Sequence, residues 1–106
     1  MIVRIWRGRA PLGAEAAAYH AHATATVLPQ LQTLAGHRGA WLLRREAGGE
    51  VEFLAVTLWE SLDSIRSFAS DDIDTAIVEP EARAVLSGFD DLAHHYELAF
   101  RMDRPA

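Results

Sequence analysis

From Glu52 to Phe68 the chain reads EFLAVTLWESLDSIRSF. No other stretch limits the possible folds so tightly. After its first residue, the part up to Trp59 is uncharged and rich in Val, Thr, Leu and aromatics, the composition of a strand covered on both faces. At Ser61 the period changes. Leu62, Ile65, Phe68 and Ala69 recur three or four residues apart, which marks one face of a helix. Ser61 is suited to cap that helix, and Asp63 puts a negative charge in its first turn, where the helix dipole favours it. Trp59 therefore stands at a strand-to-helix corner.

The flanking sequence supplies partners for that strand. Residues 1–9, MIVRIWRGR, predict a first strand with Ile2, Arg4 and Trp6 on one side and Val3, Ile5 and Arg7 on the other. Gly8, Pro11 and Gly13 punctuate a turn. Residues 14–34 predict a helix whose apolar stripe is Ala14, Ala17, Ala21, Thr24, Leu28, Leu31 and Leu34. Pro29 should kink it between Ala25 and Leu28, and Gly36 should close it. Residues 38–46 predict a second strand, joined to the third by a hairpin at Ala47-Gly48-Gly49-Glu50. Beyond Ser70-Asp71-Asp72, a short helix is expected from Pro80 to Leu86. A fourth strand is expected over residues 91–100, with His94 and His95 on opposite faces. The polar tail, residues 101–106, should fray.

The order β-α-β-β-α-β predicts an α+β fold over residues 1–100, as one domain. It is a ferredoxin-like four-stranded antiparallel sheet with helices on one face. Val3, Ile5, Leu54, Val56 and Leu58 would then lie bare on the far face of a monomer. Such a patch marks an interface, and a homodimer packed sheet against sheet would cover it.

Composition narrows the function. The net charge of -5 disfavours a broad basic face, so no nucleic-acid partner is expected. The absence of cysteine excludes disulfides and thiolate chemistry. No apolar run is long enough to span a membrane, and the N-terminus lacks a signal-peptide pattern, so a cytoplasmic location is expected. All basic residues are Arg, and the chain contains no Asn.

Four pieces carry a family resemblance. They are Trp6-Arg7-Gly8-Arg9, the turn Gly36-His37-Arg38-Gly39, the run TLWESLDSIRSF from Thr57 to Phe68, and His95-Tyr96-Glu97-Leu98. Together they resemble the antibiotic biosynthesis monooxygenase family, along nearly the whole chain. The resemblance implies ferredoxin-like protomers paired into a dimeric α+β barrel. It implies oxidation of a small aromatic or quinol-type molecule, with no metal or organic cofactor, in a pocket between sheet and helices. Trp59 matches a pocket-lining Trp of that family. The family's first-strand Asn has no counterpart here, and Trp6 or its neighbour holds that place. The heme-degrading members carry a His on the second helix where this chain has Ala69-Ser70.

The candidate substrate-binding residues are Trp6, Tyr19, Trp59 and Phe68, and the candidate proton-transfer residues are His22 and His95. Each has a plainer reading. Trp59 can stack on a planar ligand or anchor the core. Trp6 has the same ambiguity and should sit at the opposite end of the cleft from Trp59. Tyr19 and His22, one turn apart, can reach into the cleft or sit half in water. An imidazole near a phenol is a reasonable base, or a structural residue bonded to backbone. No metal site is expected: the side chains of His20 and His22 diverge by about 200° on a helix, and Asp71-Asp72-x-Asp74 lacks the remaining ligands of a calcium loop. Besides the oxygenase, the same fold could be a non-catalytic binding module or a heme-handling protein.

Overall fold

The turn at Gly48-Gly49 sets the register of the sheet. Both glycines have positive φ, 59° and 77°, as a two-residue hairpin turn between strands requires. Ala47 thereby pairs with Glu50. The computed structural model describes residues 1–105, so the last residue of the tail, Ala106, lies outside the described residues. Strand β2 (His37–Ala47) runs antiparallel to β3 (Glu50–Trp59). The latter pairs along its whole length with β1 (Ile2–Pro11), Ile2 facing Trp59 and Pro11 facing Glu50.

The outer edge of β1 is covered by two short strands rather than the single strand expected over residues 91–100. Strand β4 (Gly88–Phe89) pairs with Gly8 and Arg9; β5 (His94–Glu97) pairs with Ile2 to Ile5. Between them the chain leaves β1 because its backbone groups are used elsewhere. The Asp91 carbonyl accepts from Ala76 N–H at 2.9 Å, Ala93 N–H donates to the Asp74 carbonyl at 2.8 Å, and Leu92 bridges to Thr75. A backbone group committed to that loop cannot also continue the ladder. The sheet order β2-β3-β1-β4, with β5 also on β1, is the expected ferredoxin-like α+β arrangement.

Helix α1 (Ala14–His22) runs through a π-helical turn, Ala23–Val27, into α2 (Leu28–Leu31). Pro29 explains the position of the wide turn. It has no N–H, and its ring crowds the carbonyl four residues back, that of Ala25. The stripe read from the sequence is displaced. Ala14, Ala17, Ala21 and Thr24 are exposed, and the buried face is Ala16, Tyr19, Ala23 and Leu31. In an alanine-rich start nothing but the one large residue, Tyr19, selects the face.

Ser61 caps α3 (Leu62–Ala69) as expected, exchanging 3.2 Å bonds with Ser64 in both directions. The cap is backed by Gly36, at φ 84°, where a Cβ would collide with Ser64. Ile65 and Ala69 are buried, whereas Leu62, placed on the apolar face by its spacing, is exposed. Helix α4 spans Pro80–Val85.

The helices cover the sheet face that carries Arg4, Trp6, Phe53, Thr57 and Trp59. Two apolar clusters form there. One gathers Ala10, Ala16, Tyr19, Val51, Phe53 and Ala82; the other gathers Leu31, Trp59, Ile65 and Ala69. On the far face Trp41, Leu43 and Tyr96 are exposed. Val3, Ile5, Leu54 and Val56 are only partly covered. Leu58 departs from its expected exposure: it is buried, opposite Gly39, across which the Trp41 indole lies.

Candidate functional site

Among the described residues the buried polar side chains are Arg4 and Thr57, which face each other on neighbouring strands between the two apolar clusters. Next to them Trp6 faces Ala55. Small or polar groups at Ala55 and Thr57 leave the sheet unfilled at this point. Above it the π-turn and an irregular segment after α3 stand where regular helix would close the layer. The result is a cavity of about 80 Å³. Its walls include Trp6, Tyr19, His22, Leu31 and Phe68, with Ala76 to Glu79 across the top. A wider groove of about 660 Å³ runs between His20–Gln32 and the β2 edge. It is shallow, polar and open, and does not exclude water.

Arg4 dominates the cavity. It is 4% exposed. One terminal nitrogen donates to the Ile73 carbonyl and to His95 Nε2, the latter at 2.9 Å, and the other donates to the Thr75 carbonyl at 3.1 Å. A guanidinium has five N–H donors, so Nε–H and one terminal N–H are left for a ligand. Burial pulls its pKa down, and the charge of Asp74 acts in the opposite direction. The guanidinium also lies 5.7 Å from the centre of the Phe68 ring.

His95 stands behind Arg4 rather than in the cavity wall. Its Nδ1 is 3.2 Å from Asp74 Oδ1. Burial, then the charge of Arg4, lowers its pKa. The neutral ring therefore accepts from Arg4 at Nε2 and donates to Asp74 at Nδ1. His94 pairs in register with Ile5 on the opposite sheet face.

Of the residues picked from the sequence, Trp6, Tyr19, His22 and Phe68 share the cavity. Trp6 donates to the Asp90 carbonyl at 2.8 Å. Its ring centre is 6.3 Å from that of Tyr19. Burial raises the Tyr19 phenol to about 12, so it stays protonated at neutral pH. His22 Nε2 is buried with no hydrogen-bond partner. Trp59 is not among the residues lining the cavity. It is fully buried, donates to Thr57 Oγ1 at 2.8 Å and stacks behind Phe68 at 6.2 Å. Ala69, in the Ala69-Ser70 stretch that the resemblance sets against a His of the heme-degrading members, is buried against Trp59.

Sequence reasoning missed Arg4, Thr57 and Glu79. For Arg4 a signal existed: it shares a strand face with Ile2 and Trp6, and a cation between two apolar neighbours on a covered face must be held by partners. For Glu79 there was none, since only the tertiary fold brings it to His22.

No family model and no curated protein matches this chain. Solved structures do. A Bacillus cereus protein assigned to the antibiotic biosynthesis monooxygenases superposes with TM-score 0.66 at 11% identity, over 99% of this chain and 97% of that one. The heme-degrader MhuD from Mycobacterium tuberculosis, with two hemes bound in its active site, gives 0.62 at 21% identity, over 97% and 100%. SnoaB, a cofactor-independent oxygenase from Streptomyces nogalater, gives 0.58 at 16% identity, over 99% and 98%. A cavity roofed by helices, a π-turn and a loop on one side of an antiparallel sheet thus sits in a chain that has the fold shared by the antibiotic biosynthesis monooxygenases, SnoaB and MhuD.

Proposed function

We propose that the protein is a cofactor-independent oxygenase acting on a small phenolic or quinol-type aromatic. The observation that carries this is the buried guanidinium of Arg4, with donors to spare, at the floor of a cavity otherwise walled by Trp6, Tyr19, Phe68 and aliphatic groups. Such a site favours a flat apolar molecule with one oxygen that carries negative charge. In a water-poor cavity a fixed cation favours the phenolate or enolate over its neutral acid. His22, with its free buried nitrogen, is the group to take the proton. Thr57 and the protonated Tyr19 can donate to the same ligand.

Deprotonation makes the ring electron-rich enough to react with dioxygen directly. For an anthrone-like substrate the ring CH₂ becomes C=O. One oxygen atom enters the product and the other leaves as water with the two hydrogens, so the substrate supplies all the electrons.

At about 80 Å³ the cavity is smaller than the ~150 Å³ that accepts benzene in an engineered core. A substrate must therefore displace part of the wall. The Ala76–Val78 segment is the part to move, because it lies outside the helices and the sheet ladder.

Incubation with a panel of anthrones and quinols under oxygen tests this. Product formation with matching oxygen uptake is expected, and Arg4→Met should reduce it by about tenfold or more. No turnover by folded protein overturns the oxygenase reading. Thermal stabilisation by the same compounds without oxygen uptake assigns the cavity to a non-catalytic binding module. The homodimer belongs to the same proposal and is supported by the apolar far face. Leu43→Glu should convert the assembly to monomers in sedimentation velocity, while a wild-type monomer at micromolar concentration would remove it.

A further inference from the structure

Where α1 ends against the start of α4, an imidazole and two carboxylates converge at the cavity mouth. A ring nitrogen of His22 and one oxygen each from Glu79 and Glu81 all lie within 4.8 Å of one another. Local structure holds them there. His22 closes α1, and Glu79 and Glu81 flank Pro80 in the first turn of α4. The Glu79 carbonyl accepts from Ala82 and Arg83 N–H, both at 3.0 Å, which fixes that turn.

Among the described residues neither Glu79 nor Glu81 has a salt-bridge partner. His22 Nε2 is buried and makes no hydrogen bond. A buried nitrogen without a partner is costly, and a cation is a partner that an imidazole nitrogen and carboxylate oxygens can share.

We propose that His22, Glu79 and Glu81 bind a divalent first-row transition cation such as Zn²⁺, Co²⁺ or Ni²⁺. The imidazole nitrogen selects for these over Mg²⁺ and Ca²⁺, which prefer all-oxygen sites. Three protein ligands leave at least one coordination position open. Since His22 and Glu79 both line the cavity, that position is accessible to an oxygen of a bound ligand. Exposed His20, on another side of α1, is not part of the site. The proposal does not depend on oxygenase chemistry, although it bears on it. A nitrogen coordinated to a cation cannot accept a proton, so His22 would act as a base only in metal-free protein.

The test needs neither substrate nor oxygen. Chelator-treated protein is titrated with Co²⁺, followed by its d–d absorption, and with Zn²⁺ by equilibrium dialysis. Saturation at about one ion per chain is expected. Glu81→Gln and Glu79→Gln should each weaken binding about tenfold or more, and His22→Ala should abolish it, whereas His20→Ala should leave it intact. Glu81 is exposed, so its substitution reports binding without the risk of unfolding. Absence of saturable binding overturns the site. So does binding that survives both His22→Ala and Glu81→Gln, or that is lost with His20→Ala.

Discussion

Two tryptophans on paired strands meet opposite fates. Trp59, at the end of β3, is fully buried; Trp6, in the middle of β1, is only partly so and forms a cavity wall. Each satisfies its indole N–H at 2.8 Å, Trp59 on Thr57 and Trp6 on the Asp90 carbonyl. What differs is the roof. Above Trp59 lies α3, a capped helix of regular period that delivers Ile65 and Ala69 at the right spacing. Beside Trp6 the roof is pieced together from Tyr19 and His22 of α1, Val27 of the π-turn and the loop from Ala76 to Val78. One regular helix fills its layer, and a cavity forms where separate segments meet.

The largest effect should separate the two residues. Trp59→Ala should cost ~3–5 kcal/mol in equilibrium unfolding, with a cavity left in a rigid surround. Trp6→Ala should cost less stability and more ligand affinity. Equal costs would mean that both indoles are plain core. Next comes Arg4→Met, which removes the charged hydrogen bonds to Ile73, Thr75 and His95. A loss of ~1.5–3 kcal/mol is expected, with faster amide exchange confined to residues 73–76. Exchange rising equally around Trp59 would contradict the division into two regions. Ser61→Ala should cost ~1 kcal/mol by removing the α3 cap, without changing ligand affinity.

Acid provides a gentler probe. His95 binds a proton less readily in the folded protein than in the unfolded chain, because of burial, then Arg4, partly opposed by Asp74, with nearby His94 a further lowering influence. The unfolded state therefore takes up the proton first as pH falls. The contribution of His95 is complete above about pH 6.5 and is lost as pH drops through its depressed folded value. His37 is lowered by burial too and acts in the same direction. Comparing thermal midpoints of the wild type and His95→Gln between pH 7.5 and 5 should give a shallower fall in the variant. The smallest effect expected is Tyr19→Phe. It removes a hydroxyl from the cavity wall and should shift stability by no more than ~0.5 kcal/mol, while weakening ligands that carry an oxygen.

The legible part of the molecule was its regular part. The period change at Ser61, the glycine pair at the hairpin and the two-sided apolar strands specified the strand order and α3, because each is a local rule. Trp59 stands out in the sequence for its place at that same corner, yet regularity there is what seals it off. Glu79 and the course of residues 90–93 were hidden for a common reason. Their roles depend on which loop lies across which strand, and a loop has no period to read. The first helix shows the boundary between the two cases. Pro29 announced an irregularity, but not which side chains it would turn inward.

The wide turn at Ala23–Val27 has a further meaning for the length of the chain. A π-turn stores one residue more than the helix around it needs. Deleting a single residue there would let ordinary bonding resume with the two halves of the rod near their present phase. Tyr19 and His22 before the turn and Leu31 after it would keep their faces, while the widened backbone over the cavity would draw in. The spare residue is room rather than chemistry, and a change in the count of amino acids alone would narrow the chamber.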